Sequence, residues 1–384
     1  MATCIPGITI TEAVLTSSTA AEPGVGEAAW AAGTTYGVGD KVIIGAPTST
    51  VTVSVASPGV VSWSGHGLAN DTPVVLSSTG DLPTGLSEGV IYYVVNRAAD
   101  TFQLSAVPGG APIVTTGTQS GTHTATAQVH RIYESLAASN TGNPPAIDDG
   151  TKWLDVGPTN RWAMLDLYRS SKTWAPSPLT VVLTPGQRID SLFLGGLVAD
   201  QVTVTATVGG VEVYSTTRSL STREVLNYFD HYFKPFTSRE SVLFRDLPLH
   251  TEAVFTVTIT GSGLVGCSSL VIGQGVYLGR TQQGAEARAK NFSRIDRDQF
   301  GNAVLVPRRM VPTANMTIWF EKARTKPLLE LRDRTNAVPV VWSGLDDDTS
   351  DYFEPVLIVG IHTTFDLNLA HPNDGLLSLT CEEV

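Results

Sequence analysis

Apolar and polar residues alternate over several stretches of the chain, and this alternation predicts β-strands. Residues 202–208 place Val or Ala at every second position with Thr between them, and Gly209-Gly210 joins them to a second alternating stretch at 211–214. Two such stretches joined by Gly-Gly predict a β-hairpin. Further strands are predicted at 8–11, 42–44, 51–55, 73–76, 90–95, 102–104, 254–259, 269–272, 338–342, 355–359 and 376–379.

A helical pattern stands out near the end of the chain. Pro327 suits the first turn of a helix, Leu328 and Leu331 supply an apolar side, and the pattern ends near Thr335. Elsewhere the 36 Gly and 22 Pro place turns between short strands. The sequence therefore predicts an all-β (mainly β) chain of several β-sandwich-like domains, with one short helix near the C-terminus.

Charge divides the chain into segments, because residues 51–128 contain only five charged side chains. This charge-poor stretch interrupts an aromatic pattern that begins before it and resumes after it, which predicts a domain inserted into a smaller one. The N-terminal stretch is predicted to be an irregular arm with a mobile link. The predicted organisation is an arm at 1–29, a small discontinuous domain at 30–45 plus 129–158, an inserted β-sandwich at 46–128, a β-sandwich at 159–278 and a C-terminal β-rich assembly domain at 279–384.

Composition argues against several classes of partner. The net charge of −11 makes nucleic acid an unsuitable main partner, since phosphate contacts need a basic face. No stretch approaches the roughly 18 uninterrupted apolar residues of a membrane span, so no membrane insertion is expected. Residues 1–13 lack the basic start and the apolar run of a secretory signal. The three cysteines are far apart and predict no disulfide framework.

Motifs that would support catalysis do not emerge from the sequence. The seven histidines form no metal-binding pair with protease spacing, and there is no nucleophile elbow, P-loop or dinucleotide fingerprint. The densest acidic stretch, residues 346–348, has the oxygen ligands that Ca²⁺ prefers but not the order of an EF-hand loop. We therefore expect a solvated acidic loop there, no cofactor, no metal and no enzymatic activity.

Four aromatic residues flank the charge-poor stretch: Trp30, Tyr36, Tyr133 and Trp153. Together with Gly39-Asp40 they resemble a small carbohydrate-binding module of the chitin-binding type. That resemblance implies a compact three-stranded fold whose aromatic rings stack on sugars. A second interpretation remains open, in which the rings form the core that a very small module needs.

The inserted stretch resembles a repeat common in phage tail proteins. Residues 63–68, 79–86 and 100–104 carry this resemblance, which implies an immunoglobulin-like sandwich displayed on a virion. Residues 157–164 and 338–342 are similar to tail-tip proteins of siphophages and Mu-like phages. These resemblances together cover most of the chain after residue 30.

The expected function is a structural component of a bacteriophage tail tip or baseplate, made in the host cytoplasm and located in the virion tail. Expected partners are other tail proteins, further copies of the chain in a trimer or hexamer, and host surface glycans. Arg308 and Arg309 are the predicted subunit contacts, within a late cluster of arginines. Two alternatives remain: a secreted polysaccharide-degrading enzyme with an accessory carbohydrate-binding module, and a receptor-binding tail fibre.

Overall fold

A computed structural model describes residues 1–24, 26–222, 227–233, 237–297, 299–348, 352–369 and 373–384. The structure is 47% strand and 8% helix, and it has a short helix near the C-terminus. These proportions confirm the predicted mainly-β class. In the described residues no helix has the length and apolar character that crossing a membrane requires.

The strands of the N-terminal part are short. They are β1 (Ala2–Ile5), β2 (Leu15–Ser18), β3 (Ala28–Ala29), β4 (Thr35–Tyr36), β5 (Lys41–Ile44), β6 (Thr48–Val53), β7 (Val61–Ser62), β8 (Pro73–Ser78), β9 (Ile91–Val95), β10 (Thr101–Ser105), β11 (His123–Ala127), β12 (Arg131–Ser135), β13 (Asn140–Thr141) and β14 (Trp153–Pro158). Single 3-10 turns occur at Pro145–Ile147 and Ala163–Leu165.

The remaining part contains longer strands and both α-helices. Its elements are β15 (Thr173–Pro176), β16 (Leu179–Leu183), β17 (Ser191–Gly195), β18 (Gln201–Val208), β19 (Val211–Ser219), β20 (Ser221–Thr222), α1 (Tyr228–Phe233), β21 (Thr237–Ser238), β22 (Val242–Phe244), β23 (Val254–Thr260), β24 (Leu264–Cys267), β25 (Ser269–Gly273), β26 (Val276–Thr281), β27 (Glu286–Asn291), β28 (Arg294–Arg297), β29 (Ala303–Val306), β30 (Met310–Glu321), α2 (Thr325–Arg334), β31 (Val340–Ser343), β32 (Leu357–Asn368) and β33 (Asp374–Glu383). Further 3-10 turns occur at Lys322–Arg324 and Glu354–Val356.

The chain forms two compact units. Unit 1 comprises residues 1–10, 14–19 and 163–384, and unit 2 comprises residues 11–13 and 20–162. The sequence predicted separate domains at 159–278 and 279–384, whereas residues 163–384 all lie in unit 1 and residues 159–162 lie in unit 2. A shared apolar cluster explains this, because Phe193 and Val271 of one sheet pack with Val341 and Val359 of another.

Within unit 2, the six strands β6–β11 close into a barrel in the order β10-β7-β6-β11-β8-β9. The sequence predicted an immunoglobulin-like sandwich of two sheets for this stretch, whereas its strands close into one barrel. Alternate residues of each strand fill one interior, including Val74, Leu76, Val94 and Phe102, each at most 1% exposed. Thr48 pairs with Thr126, so the two ends of the inserted stretch are adjacent.

A small module in unit 2 is formed from both sides of the barrel sequence. Strands β3 and β5 precede the barrel and β12 and β14 follow it, and the four form one sheet in the order β14-β12-β5-β3. A second pairing joins β4 to β13. The segments predicted to form one discontinuous domain therefore do meet in one sheet.

Unit 1 contains a sheet in the order β26-β1-β31-β32-β33-β30-β27, with a further pairing between β26 and β30. Its core includes Trp342 and Leu377, and helix α2 adds Leu328 and Leu331. Strand β1 pairs with both β26 and β31. The prediction that residues 1–29 form an irregular arm is therefore wrong for β1 and for β2, which pairs with β16. The strand predicted at 8–11 does not form.

Two further sheets of unit 1 show the alternation that the sequence indicated. One has the order β19-β18-β23-β16-β2, and the other has the order β22-β17-β25. In β18 every second residue from Val202 to Ala206 is fully buried and the intervening Thr residues are half-buried. The predicted Gly-Gly hairpin is confirmed, since β18 pairs antiparallel with β19 around Gly209 and Gly210.

Candidate functional site

The four aromatic residues that resemble a sugar-binding set come together in the small module. Tyr36, Tyr133 and Trp153 belong to one apolar cluster, and Trp30 packs against it half-buried. The rings of Tyr36 and Trp153 meet edge to face with centroids 5.3 Å apart. The indole Nε1 of Trp153 donates to the carbonyl of Asn143 at 2.9 Å, and the backbone N–H of Ala31 donates to the Tyr36 hydroxyl at 2.8 Å.

Burial decides how these rings can act. Tyr36, Tyr133 and Trp153 are 7%, 5% and 2% exposed, so none of the three offers an open ring face to a sugar. Burial, together with the nearby Asp155 carboxylate, raises the pKa of the Tyr133 phenol to about 12. Of the two interpretations left open by the sequence, the geometry favours the aromatic core. We therefore do not propose sugar stacking by these three residues.

The acidic loop after β31 is occupied by ion pairs of unit 1. Oδ1 of Asp346 lies 2.9 Å from the amino group of Met1, and Asp348 lies 3.2 Å from the Arg218 guanidinium. The hydrogen bond from the Met1 amine outweighs partial desolvation and lowers the pKa of Asp346. These carboxylates act as partners of cationic groups, and their geometry gives no reason to propose a Ca²⁺ site. Residues 349–351 lie outside the described residues.

A long exposed hairpin is the most prominent surface feature of unit 1. We call residues 282–310 the arm, which is distinct from the N-terminal arm predicted at 1–29. Strand β27 pairs with the first half of β30, and β28 and β29 continue the same hairpin outward. Every described residue from 282 to 305 is exposed. The hairpin also forms an edge of its sheet, because β27 is the last strand in the order.

The exposed side chains of the arm are apolar and basic. Ile295 and Leu305 lie opposite each other in register and are 63% and 71% exposed, and Phe300 near the tip is 80% exposed. The arm carries three acidic and six basic residues, the latter being Arg288, Lys290, Arg294, Arg297, Arg308 and Arg309. Its formal charge is thus +3 on a chain of −11, which leaves −14 on the rest.

The two arginines predicted as subunit contacts occupy different environments. Arg308 is exposed, and no ion pair joins its guanidinium to another described residue. Arg309 is 3.6 Å from the Glu383 carboxylate, whose side chain is only 8% exposed. Arg308 is therefore available to a partner, whereas Arg309 also stabilises its own unit.

An apolar groove lies at the root of the arm. It encloses about 690 Å³ and is lined by residues that include Thr281, Leu345, Tyr352 and Val356. Tyr352 is 77% exposed. The groove extends the exposed apolar surface of the arm onto the adjoining part of unit 1.

One cluster in unit 2 was not found from the sequence. Glu12, Glu22 and His130 each place a ligand-type atom within 4.8 Å of the others. Glu22 and His130 are 108 positions apart, and no spacing motif links them. Periodicity and short motifs therefore carry no signal for this cluster.

No family model and no curated protein sequence matches the chain.

Proposed function

We propose that the chain is a structural subunit of a bacteriophage tail tip or baseplate, which assembles with further copies of itself and with other tail proteins. The phage context is supported by the sequence resemblances of residues 46–128 and of the C-terminal part. The assembly role is supported by one observation above all, the exposed apolar and basic arm. Its location would be the virion tail, after synthesis in the host cytoplasm.

The composition of the arm favours contact with another protein. An isolated two-stranded hairpin is at best marginally stable in water. The arm nevertheless exposes Ile295, Leu305 and Phe300, and burial of such side chains stabilises by roughly 1.5–3 kcal/mol each. An exposed edge strand such as β27 can also accept another strand through its free backbone groups. A partner that covers the arm would bury these apolar side chains and pair with the exposed edge of β27.

A second copy of the chain is the partner that the charges favour. The arm has a formal charge of +3, while the remainder of each copy has −14. Complementary charge guides encounter and fixes register in such contacts. Repeated head-to-tail contact of an arm with its neighbour generates a ring when the rotation closes, and this suits the symmetric assembly of a tail tip.

Removal of the apolar pair of the arm tests this proposal. We expect the double variant Ile295→Ser with Leu305→Ser to lower self-association of the purified chain, measured by sedimentation velocity over a concentration series. The matched control is Val211→Ser with Val213→Ser, because these residues are also exposed and apolar and lie in the hairpin of β18 and β19. The control should associate as the wild type does.

Two results would count against the proposal. If the wild-type chain stays monomeric up to high micromolar concentration, self-assembly through the arm is excluded. Equal weakening by both double variants shows that the arm has no special role. Electron microscopy of the wild-type assembly then distinguishes a ring from a protruding fibre, which is one of the two alternatives left open by the sequence.

A further inference from the structure

One imidazole of unit 2 is buried between two carboxylates. The His130 side chain is 6% exposed, and its ring stacks on the Trp162 indole with centroids 3.8 Å apart. Its Nδ1 lies 3.2 Å from Oε1 of Glu22, and its Nε2 lies 3.7 Å from Oε1 of Glu12. The second distance is too long for a hydrogen bond. Nε2 is accordingly a buried atom with no hydrogen-bond partner among the described residues.

Glu22 holds the imidazole in one orientation. Its Oε1 accepts a hydrogen bond from the Thr159 hydroxyl at 2.7 Å, and its Oε2 accepts one from the Trp162 indole at 3.0 Å. Nδ1 is therefore engaged with Glu22, and Nε2 is the ring nitrogen that remains to bind a ligand.

Nε2 of His130 faces a second carboxylate. It lies 3.7 Å from Oε1 of Glu12, and both atoms are of the type that binds a metal ion. Glu12 is fixed in place because its backbone N–H donates to the Gln128 side chain at 3.0 Å. Its carboxylate is 38% exposed, so an ion and its water can enter from solvent.

We propose that His130 Nε2 and the Glu12 carboxylate bind a divalent transition metal ion, with Glu22 orienting the imidazole from its other nitrogen. Two ligands bound to tetrahedral Zn²⁺ lie about 3.4 Å apart, close to the 3.7 Å separation found here. A carboxylate that fixes the second nitrogen of a metal-binding imidazole is a recurrent arrangement in such sites. The bound ion would attach residues 11–13 to the rest of unit 2.

Metal titration of the wild type and of a variant that lacks the Glu12 carboxylate tests the site. We expect the full-length wild type to bind one Zn²⁺ in isothermal titration calorimetry, and Co²⁺ to quench Trp162, which stacks on His130. Glu12→Gln should abolish this binding without affecting the fold. Glu22→Gln should weaken it roughly 10–100-fold, as expected for an orienting carboxylate.

Glu134→Gln is the matched control. Glu134 is 34% exposed, belongs to the same unit and pairs with Lys41 at the surface, so its loss should leave Zn²⁺ binding unchanged. The proposal is overturned if the wild type binds no Zn²⁺ at about 0.1 mM, a concentration at which even weak extracellular Ca²⁺ sites begin to fill. It is also overturned if Glu12→Gln binds as tightly as the wild type. Because Glu12 is partly exposed, its variant remains decisive even where Glu22→Gln fails to fold.

Discussion

The small module and the arm use large apolar side chains in opposite ways. In the module, Tyr36, Tyr133 and Trp153 turn inward and are at most 7% exposed. In the arm, Ile295 and Phe300 point to solvent and are at least 63% exposed. The module is so small that it cannot bury enough apolar area for a core without its aromatic residues. No described residue of the arm is buried, so its apolar surface remains for a partner.

The difference teaches that residue type alone does not separate a binding surface from a core. Aromatic residues at the module positions resembled a sugar-binding set, yet the fold places three of them inside. The arm carried no comparable motif, yet every described residue from 282 to 305 is exposed. Mutations in the two regions should therefore affect different observables: folding for the module and association for the arm.

The largest expected effect is that of Trp153→Ala in the module. Truncating this 2% exposed ring leaves a cavity and removes its edge contact with Tyr36, which should lower the free energy of unfolding by about 3–5 kcal/mol. Chemical denaturation monitored by circular dichroism measures the change. Trp174→Ala is the control, since that ring is 43% exposed in unit 1. A stable Trp153→Ala protein that merely loses glycan binding would reverse our assignment of the ring to the core.

A smaller effect is expected from ionisation of Tyr133. Its pKa is raised to about 12, so the unfolded chain ionises first as the pH rises above the usual value of 10.0. The contribution of the neutral ring to stability is complete below pH 10 and is lost as the pH approaches 12, by roughly 1–3 kcal/mol.

Thermal melting of the wild type and of Tyr133→Phe between about pH 9 and 12 measures this loss, since the interval runs from below the usual pKa of 10.0 up to the raised pKa of about 12. Phe has no ionisable group, so the wild type should lose stability relative to Tyr133→Phe as the pH rises. The exposed Tyr232 provides the control variant Tyr232→Phe, which should follow the wild type throughout. Parallel curves for all three proteins would place the Tyr133 ring in solvent.

The smallest effect on stability is expected in the arm. Arg308→Glu should change the free energy of unfolding by no more than about 0.5 kcal/mol, because the residue is exposed. It should nevertheless weaken self-association, most strongly at low salt, where unscreened charges act over about 10–30 Å. Arg309 is less suitable for this test, since its reversal would also bring two carboxylates together at Glu383.

Sedimentation velocity at low and high salt separates a specific contact of Arg308 from a general effect of net charge. The control is Lys326→Glu on helix α2. The Lys326 side chain is 87% exposed, and its replacement makes the same change of charge away from the arm. Equal responses of the two variants would indicate an effect of net charge alone. Loss of association in Arg308→Glu with unchanged melting would sharpen the contrast between the arm and the module.

The sequence by itself determined the structural class and many of the individual elements. Alternation within residues 202–208 and the Gly-Gly turn encode the hairpin of β18 and β19, because each depends only on neighbouring residues. The apolar spacing after Pro327 likewise encodes helix α2 (Thr325–Arg334). The surplus of basic residues in the arm is also a property of sequence alone.

Only the tertiary structure decided which surfaces are buried and which distant residues meet. Strand β1 has four residues and little local signal, yet it is paired on both sides by strands more than 270 positions away. The barrel closes through strand pairs rather than through any periodicity within one strand. Glu12, Glu22 and His130 meet because the chain returns to the same place after the barrel. Local patterns specify elements, whereas long-range contacts decide their partners, and a single sequence displays only the former.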